Sequence, residues 1–483
     1  MITHTLTQTQ RILPQSFERE NHWYPRAMNA TLHPMTNFFF NLSRERLVNR
    51  YCHLHPTVKR DQLTDLLNYK PRHFFWAGAD LIHVTSAGAK RQMVVIETNS
   101  CPSGQKSMPL RNDNEEMGGY YTLIKETFLP LTKSKRVGHK GVLAVLYDKN
   151  PMEASGYAHA MADIFGETVY FVPCKLNESD PNWRWDEGVL SIRDPEGTWH
   201  TVRAAFRYVT QKPWSRLPIT SRTFIFNPPI ACLAGGRNKM IAAKAYDFFN
   251  GSLQDSGLKI NTPETIWDVS KISVPYWVDK LGGHAVIKVP YSNAGQGVFT
   301  IVNQQELDDF MAMDFEYDKF IVQSLIGNYN WSSVTQQGKL YHVGTLPNRK
   351  GNSYVADLRM MVHKTADGFR PVAIYARRAL APLQDKLEAG GSSWDMLGTN
   401  LSIKREDGWD SDTNRLLMMD EKDYNKIGLG MDDLIEAFIQ TTLSAIAIDR
   451  MACDLISTKG TLKQKLFTSF NNDPQLLQEI MLR

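Results

Sequence analysis

The sequence predicts a mixed α/β (α+β) protein of several lobes, and three observations predict it. From Gly141 the chain reads GVLAVLYDKNP, then EASGYAHAMADIF, then TVYFVP, which is a strand, a helix and a second strand, the unit that builds parallel sheets. Two pairs of apolar runs read as hairpins: WAGADLIHV with MVVIETNSCPSG, and YVADLRMMV with PVAIYARRAL. Both ends of the chain carry apolar residues near a 3.6-residue period.

Along the chain, FFFNLSRERLVNRY and VKRDQLTDLLNY predict packing helices within residues 1–70, and the first hairpin occupies 71–137. The strand–helix–strand unit falls in 138–225. Pro213, Trp214, Pro218, Pro228 and Pro229 punctuate the chain there and mark a lobe boundary. In 226–330, ACLAGGRNKMIAAKAYDFF predicts a helix after Gly235 and Gly236, HAVIKVPYSNAGQGVFTIV a strand, loop and strand, and KFIVQSLI a further strand. KLYHVGTL and the second hairpin fill 331–410. The tail, 411–483, is helical, with Leu434, Phe438, Thr442 and Ala445 near one face of an amphipathic helix.

At 483 residues, with 55 Lys plus Arg against 51 Asp plus Glu, the chain has the balanced charge of an ordinary globular protein. It lacks the basic excess of a nucleic-acid binder. No apolar run approaches the roughly 18 residues of a membrane span, and the first twenty residues have no signal-peptide core. Cys52, Cys101, Cys174, Cys232 and Cys453 are scattered, without a C-x-x-C pair, which fits a reducing cytoplasm. Cys52, His53 and His55 lie close together but lack the second ligand pair of a zinc site.

Lys288 ends an apolar strand and is followed by Ser292, Asn293, Ala294, Gly295, Gln296 and Gly297 before the next strand. Small residues let backbone N–H groups approach an anion, and the ammonium balances phosphate, so a triphosphate is the natural ligand. The pattern is neither a P-loop nor a dinucleotide fingerprint; an ordinary hairpin turn with a solvent-facing lysine is the competing reading. Glu97 and Asn99 alternate onto one strand face and present a carboxylate and an amide oxygen, hard ligands suited to Mg²⁺, with Asp80 on the partner strand as a third. The competing reading is a polar face of a half-exposed hairpin. Arg359, Arg377 and Arg378, with Asn400 downstream, could clamp phosphate or carboxylate or serve only in surface ion pairs. Cys101 has no visible activating partner.

In combination and order these motifs resemble the ATP-grasp superfamily of carboxylate–amine ligases, in the circularly permuted arrangement of eukaryotic-type glutathione synthetase and glutathionylspermidine synthetase. Asn238-Lys239, Lys288 with Gly295 and Gly297, KFIVQSLI and Asp357-Leu358-Arg359 follow the familiar order, while GADLI and IETNSCPSG, similar to the closing strands of bacterial glutathione synthetases, stand at the front. AAFRYVTQKPW is similar to the substrate-contacting arginine strand of that group, which contains Arg207 here. Two positions depart from the eukaryotic synthetase: Ser292 stands where it carries a metal-binding glutamate, and Gly78 where it carries an arginine.

The resemblance implies ATP between two lobes, with Lys239 and Lys288 on its phosphates. The loop containing Ser292, Asn293, Gly295, Gln296 and Gly297 would close over them, and the Gln323, Ser324, Leu325 and Ile326 backbone would meet the adenine. Asp80, Glu97 and Asn99 would hold Mg²⁺. Arg359, with Arg377 or Arg378, would stabilise an acyl phosphate, and Ser100, Ser103, Arg207 and Asn400 would face the substrates. The expected partners are small-molecule carboxylate and amine substrates, an amino acid or small peptide among them, with no nucleic acid and no membrane; a homodimer is left open. A small-molecule kinase or a non-catalytic nucleotide-binding protein is the alternative on the same fold.

Overall fold

The computed structural model describes residues 8–112, 114–133, 138–175, 180–291, 297–387, 390–405 and 408–481. The helices Pro34–Phe40, Arg44–Leu54 and Arg60–Leu67 form where the periodicity predicts them, the second capped by Ser43, whose Oγ accepts the Arg46 N–H. Cys52 and His53 lie in the last two turns of that second helix. No group of three His, Cys, Asp or Glu side chains able to hold a metal occurs among the described residues.

The predicted strand–helix–strand unit is Val142–Tyr147, Pro151–Phe165 and Val169–Pro173, with the two strands parallel. On the other side of Val142–Tyr147 lies Trp199–Tyr208, also parallel, followed by Phe224–Phe226. The sheet is larger than the sequence suggests. Val189–Arg193 and Trp183–Asp186 extend it as an antiparallel meander, and Gln10–Ile12 adds an antiparallel edge.

Two further sheets frame a cleft. The smaller is antiparallel, in the order Thr265–Ser270, Lys319–Ser324, Ala285–Lys288, Val298–Ile301. The larger joins both predicted hairpins. Trp76–Ser86 pairs with Arg91–Ser100 on one side and with Ala356–Thr365 on the other, and the latter pairs with Gly368–Arg378. Sequence-distant segments thereby become neighbouring strands, with Arg359 opposite Asp80.

The Pro-rich segment is not an exposed linker between lobes. Trp214, Asn227 and Ile230 are buried, and the Asn227 side chain accepts the Phe75 N–H at 2.8 Å and donates to the Trp76 carbonyl at 2.6 Å, fastening the parallel sheet to the larger cleft sheet. The tail helix Met431–Leu455 also differs from the amphipathic expectation: Ile435, Ile439 and Ile446 are as buried as Leu434, Phe438 and Ala445. A helix apolar on all sides belongs inside. It packs beneath the Arg91–Ser100 strand, where Thr98 Oγ1 donates to Ser444 Oγ at 3.0 Å. No helix among the described residues is long and apolar enough to cross a membrane.

Candidate active site

The hairpin Trp76–Ser86 and Arg91–Ser100 alternates normally until its register shifts between Asp80 and Leu81. Asp80 stands opposite Glu97 and Leu81 opposite Val95, so Ile96 has no partner across the ladder. Bulges of this kind re-aim side chains beside functional sites. The displaced Ile96 carbonyl accepts the Lys288 ammonium at 3.0 Å, while Glu97 and Asn99 both line the cleft. The bulge therefore brings the Lys288 strand and the Glu97 strand to one place. Gly78, on the same hairpin, leaves no room for a side chain, since a Cβ there would stand 2.5 Å from Pro102 Cβ.

The larger sheet contributes a closed set of ion pairs. Arg359 grips Asp80 with two bonds, Nε to Oδ1 at 2.5 Å and Nη2 to Oδ2 at 2.7 Å. Arg377 bonds Asp357 through Nε at 2.9 Å and also reaches Asp80 Oδ2 at 3.0 Å. Burial raises the Asp80 carboxyl, but the two guanidinium groups outweigh it and hold the group well below the usual carboxylate range. Burial pushes the Asp357 carboxyl up, with the Asp80 charge adding to the effect. Arg359 Nη1 also donates to the Ser103 carbonyl and to Tyr375 Oη.

The opposite wall carries the lysines. Asn238 caps the helix Lys239–Ser252, its Oδ1 accepting the Ile241 N–H, and so places Lys239 at the first helical position. The Lys239 ammonium lies 3.3 Å from Glu97 Oε1. Lys288 is 8% exposed, and burial pushes its ammonium down to about 8; Lys239 adds repulsion, while Glu97 and Asp80 offset part of the shift. Gly297, at φ 69°, closes the loop after Lys288 and lines the cleft. Ser292, Asn293, Gly295 and Gln296 lie outside the described residues.

Gln323, Ser324, Leu325 and Ile326 line the same cleft, whose volume is about 1090 Å³. Their donors are partly engaged already. Ser324 N–H bonds the Glu264 carbonyl at 2.8 Å and Leu325 N–H bonds Ser333 Oγ at 2.7 Å. His342 sits nearby, its ring nitrogens buried.

Three expected residues stand elsewhere. Arg207 is 2% exposed and lies beneath the cleft floor, its guanidinium donating to the Asn227 carbonyl at 2.5 Å, the Val209 carbonyl at 2.6 Å and Ser100 Oγ at 3.4 Å. Ser100, fully buried, lies there with it. Arg378 follows Arg377 on the strand and so faces away, over the Tyr354 ring at 4.5 Å and bonded to the Ala379 carbonyl. By contrast Ser103 and Asn400 line the cleft; Ser103 Oγ donates to Glu153 at 2.6 Å, and Asn400 Oδ1 accepts the Ser402 N–H at 3.1 Å. Cys101 is buried, bonded to the Arg207 carbonyl, and burial pushes its thiol up to about 11, the opposite of an activated nucleophile. Sequence reasoning missed Lys106, Lys149, Arg237 and Tyr375, all of which line the cleft. One available signal was the position of Lys149, two residues beyond an apolar parallel strand.

A divalent cation fits part of the expected triad. Glu97 supplies a half-exposed carboxylate, of which Oε1 lies 3.3 Å from the Lys239 ammonium, and the Asn99 amide oxygen is the second hard donor available on the same face, its side chain being 5% exposed. Asp80 does not fit, because both its oxygens are occupied by guanidinium groups. Two protein oxygen ligands suit Mg²⁺, which commonly completes its shell with water and phosphate.

No protein-family model matches the sequence, and no curated protein matches it. Solved structures with a similar arrangement include a glutathione synthetase-like effector from Globodera pallida, at 11% identity over 71% of this chain and 82% of that one, with a TM-score of 0.38. A RimK-domain ATP-grasp protein from Sphaerobacter thermophilus aligns at 16% identity over 48% and 89%, TM-score 0.30. D-alanyl-alanine synthetase A from Vibrio cholerae aligns at 10% identity over 49% and 88%, TM-score 0.31.

Proposed function

We propose that this chain is an ATP-dependent carboxylate–amine ligase of ATP-grasp type that forms an amide or peptide bond through an acyl phosphate. The observation that carries the reading is the cleft in which Lys239, Lys288, Glu97, Asn99, Arg359 and Arg377 converge from both sheets and from the helix Lys239–Ser252. The position of the Glu97 strand, well before the Lys288 and Arg359 strands in sequence yet joined through Trp76–Ser86 to the Arg359 strand, supports the circularly permuted arrangement.

In this reading Lys239 and Lys288 bind the ATP phosphates and Gly297 ends the loop over them. The base lies along Gln323–Ile326. Glu97 and Asn99 hold Mg²⁺, which when bound offsets phosphate charge. Asp80 serves instead to orient Arg359 and Arg377. Those arginines draw the substrate carboxylate to the γ-phosphate and stabilise the charge that spreads over the transferring group. A carboxylate oxygen attacks the γ-phosphorus as the bond to ADP breaks. The amine, after losing its ammonium proton to solvent, then attacks the acyl carbon; the carbon–oxygen bond to phosphate breaks, and the second nitrogen proton passes to the departing phosphate. This route needs no protein nucleophile, in keeping with the raised Cys101 thiol.

The test is a screen of amino acids and short peptides for ADP release, followed by oxygen-18 labelling of the active acid. One label should pass from the carboxylate into released phosphate, and hydroxylamine should trap a hydroxamate. AMP with pyrophosphate, or unlabelled phosphate, removes the acyl-phosphate mechanism. A stable phosphorylated product that no amine consumes identifies a kinase.

A further inference from the structure

Ligands of open α/β sheets bind outside the carboxyl ends of the strands, where neighbouring strands connect in opposite directions. Here that point lies between Val142–Tyr147 and Trp199–Tyr208: the first connects through its helix to Val169–Pro173 on one side, and Trp199–Tyr208 lies on the other. The loops leaving these two strands carry Lys149 with Asn150, and Gln211 with Lys212, and all four residues line the cleft. Lys106 and Arg237 join them from the loop after Ser103 and from the segment before Lys239.

The charges at this end are unevenly matched. Lys149 and Lys106 form no ion pair with a carboxylate among the described residues; Lys106 is only 7% exposed and packs 4.9 Å from the centroid of the Tyr24 ring, and although burial disfavours its charge, Tyr24 and the Glu153 charge outweigh that and keep it a firm cation. The nearby acids are engaged. Asp148 accepts the N–H groups of Thr210 and Gln211 and pairs with Arg216 at 3.0 Å. Glu153, fully buried, accepts Ser103 Oγ and the N–H groups of Gly104 and Gln105. Arg237 bonds the Ser100 and Cys101 carbonyls, which fixes its guanidinium at this end of the cleft. Besides burial, repulsion from Arg237, Arg359 and Lys106 contributes to pushing the Lys149 ammonium down to about 8.

We infer that Lys106 and Lys149, backed by Arg237, form a binding subsite for a second anionic group, carboxylate or phosphoryl, on the acid substrate. A concentration of cations in a cavity is a structural cost until a ligand neutralises it. The subsite adjoins Arg359, so a small acid can place its reacting carboxylate on Arg359 and Arg377 and its other anion on the lysines. Arg207, buried and committed to backbone carbonyls, does not serve this role. The choice of acid rests on the ligase reading, whereas the subsite itself is tested without ATP.

The experiment is calorimetric titration of the full chain, without nucleotide, with glutarate, butyrate and 3-phosphonopropionate. Glutarate should bind at least about tenfold more tightly than butyrate, as the second charge engages one buried and one half-buried ammonium. Lys149→Met and Lys106→Met should each erase most of that preference, and Lys149→Arg should keep it. The ranking of 3-phosphonopropionate against glutarate identifies which anion the subsite favours. Equal binding of glutarate and butyrate by the parent protein, or a preference intact in Lys149→Met, overturns the inference. Equal binding by the parent overturns the inference even where a variant fails to fold, and a preference that survives in Lys288→Met but is lost in Lys149→Met or Lys149→Gln places the second anion on this subsite. Selective glutarate binding combined with no ADP release for any acid and amine leaves the subsite standing and removes the ligase reading; ADP release driven equally by monoanionic acids with no glutarate preference does the reverse.

Discussion

On the larger sheet, Arg359 and Arg377 meet Asp80 and Asp357 in a buried network whose charges are matched within the protein. On the facing wall, Lys288 is just as buried but bonds the Ile96 backbone carbonyl, and the Lys239 ammonium lies 3.3 Å from the half-exposed Glu97 carboxylate. The contrast separates two ways of keeping charge in a cleft. On the first wall the aspartates fix the guanidinium groups in place, so the arginines proposed to meet the substrate are oriented before it arrives. On the second, the buried Lys288 ammonium is held by a neutral carbonyl, so its charge is available to an anion.

The sharpest way to break this comparison is Asp80→Asn. It leaves two guanidinium groups facing an uncharged amide inside the protein, and removing one partner of a buried network costs about 3–5 kcal/mol. A correspondingly large fall in denaturant midpoint is expected. Asp80 has a folded pKa below its unfolded value, so its contribution is fully present above about pH 4 and is lost as pH falls through the folded value. The mutant's acid unfolding should therefore start higher than the parent's. A neutral effect would mean the network is not what holds this wall.

Glu97→Gln probes the boundary between the walls. It keeps shape while removing the one carboxylate in the proposed cation site, and turnover is expected to fall by about 10²-fold with little change in melting temperature. Normal turnover at limiting Mg²⁺ would show that the cation is held elsewhere.

Lys288→Met is the counterpart of Asp80→Asn and should differ from it in sign. Removing a buried ammonium relieves desolvation, so the melting temperature should hold or rise, while ATP affinity drops about tenfold or more. The parent's affinity should also depend on pH. The Lys288 ammonium is charged below about 8 and neutral above it, so ATP binding should weaken several-fold between about pH 7.5 and about pH 9. That pH dependence should vanish in Lys288→Met, as measured by nucleotide titration.

Both cleft walls were legible where the backbone pattern alone carried the information. Paired apolar runs around Asp80, Glu97 and Arg359 predict the hairpins, strand alternation puts Glu97 and Asn99 on one face, and the apolar runs on either side of the small-residue stretch predict the strands Ala285–Lys288 and Val298–Ile301. What alternation cannot carry is the bulge at Ile96, because skipping one partner depends on how a distant strand packs. The reach of Lys288 to the Ile96 carbonyl was hidden for the same reason. Arg207 shows a second kind of illegibility. Its strand is clear in the sequence, yet whether its side chain enters the cleft or runs beneath it depends on Asn227 and Val209 offering carbonyls at the right distance. The Trp183–Arg193 meander escaped because its strands are short and half-exposed, without an apolar run to mark them.

The smallest expected effect lies next to the largest. Arg378 adjoins Arg377, and a sequence reading cannot say which of the two enters the cleft. Strand alternation sends them to opposite faces. Arg377 takes Asp80 and Asp357, while Arg378 is left with one carbonyl bond and the Tyr354 ring. An arginine held over an aromatic ring near the surface contributes about 0.5–1 kcal/mol. Arg378→Ala should therefore change the denaturant midpoint by no more than that and leave the KM values for ATP and acid within about twofold of the parent's. Arg377→Ala, measured beside it, should lose both stability and turnover. If Arg378→Ala is instead the more damaging for turnover, the matched network is only scaffolding, and the cation that meets the transferring phosphoryl group enters from the other face of the strand.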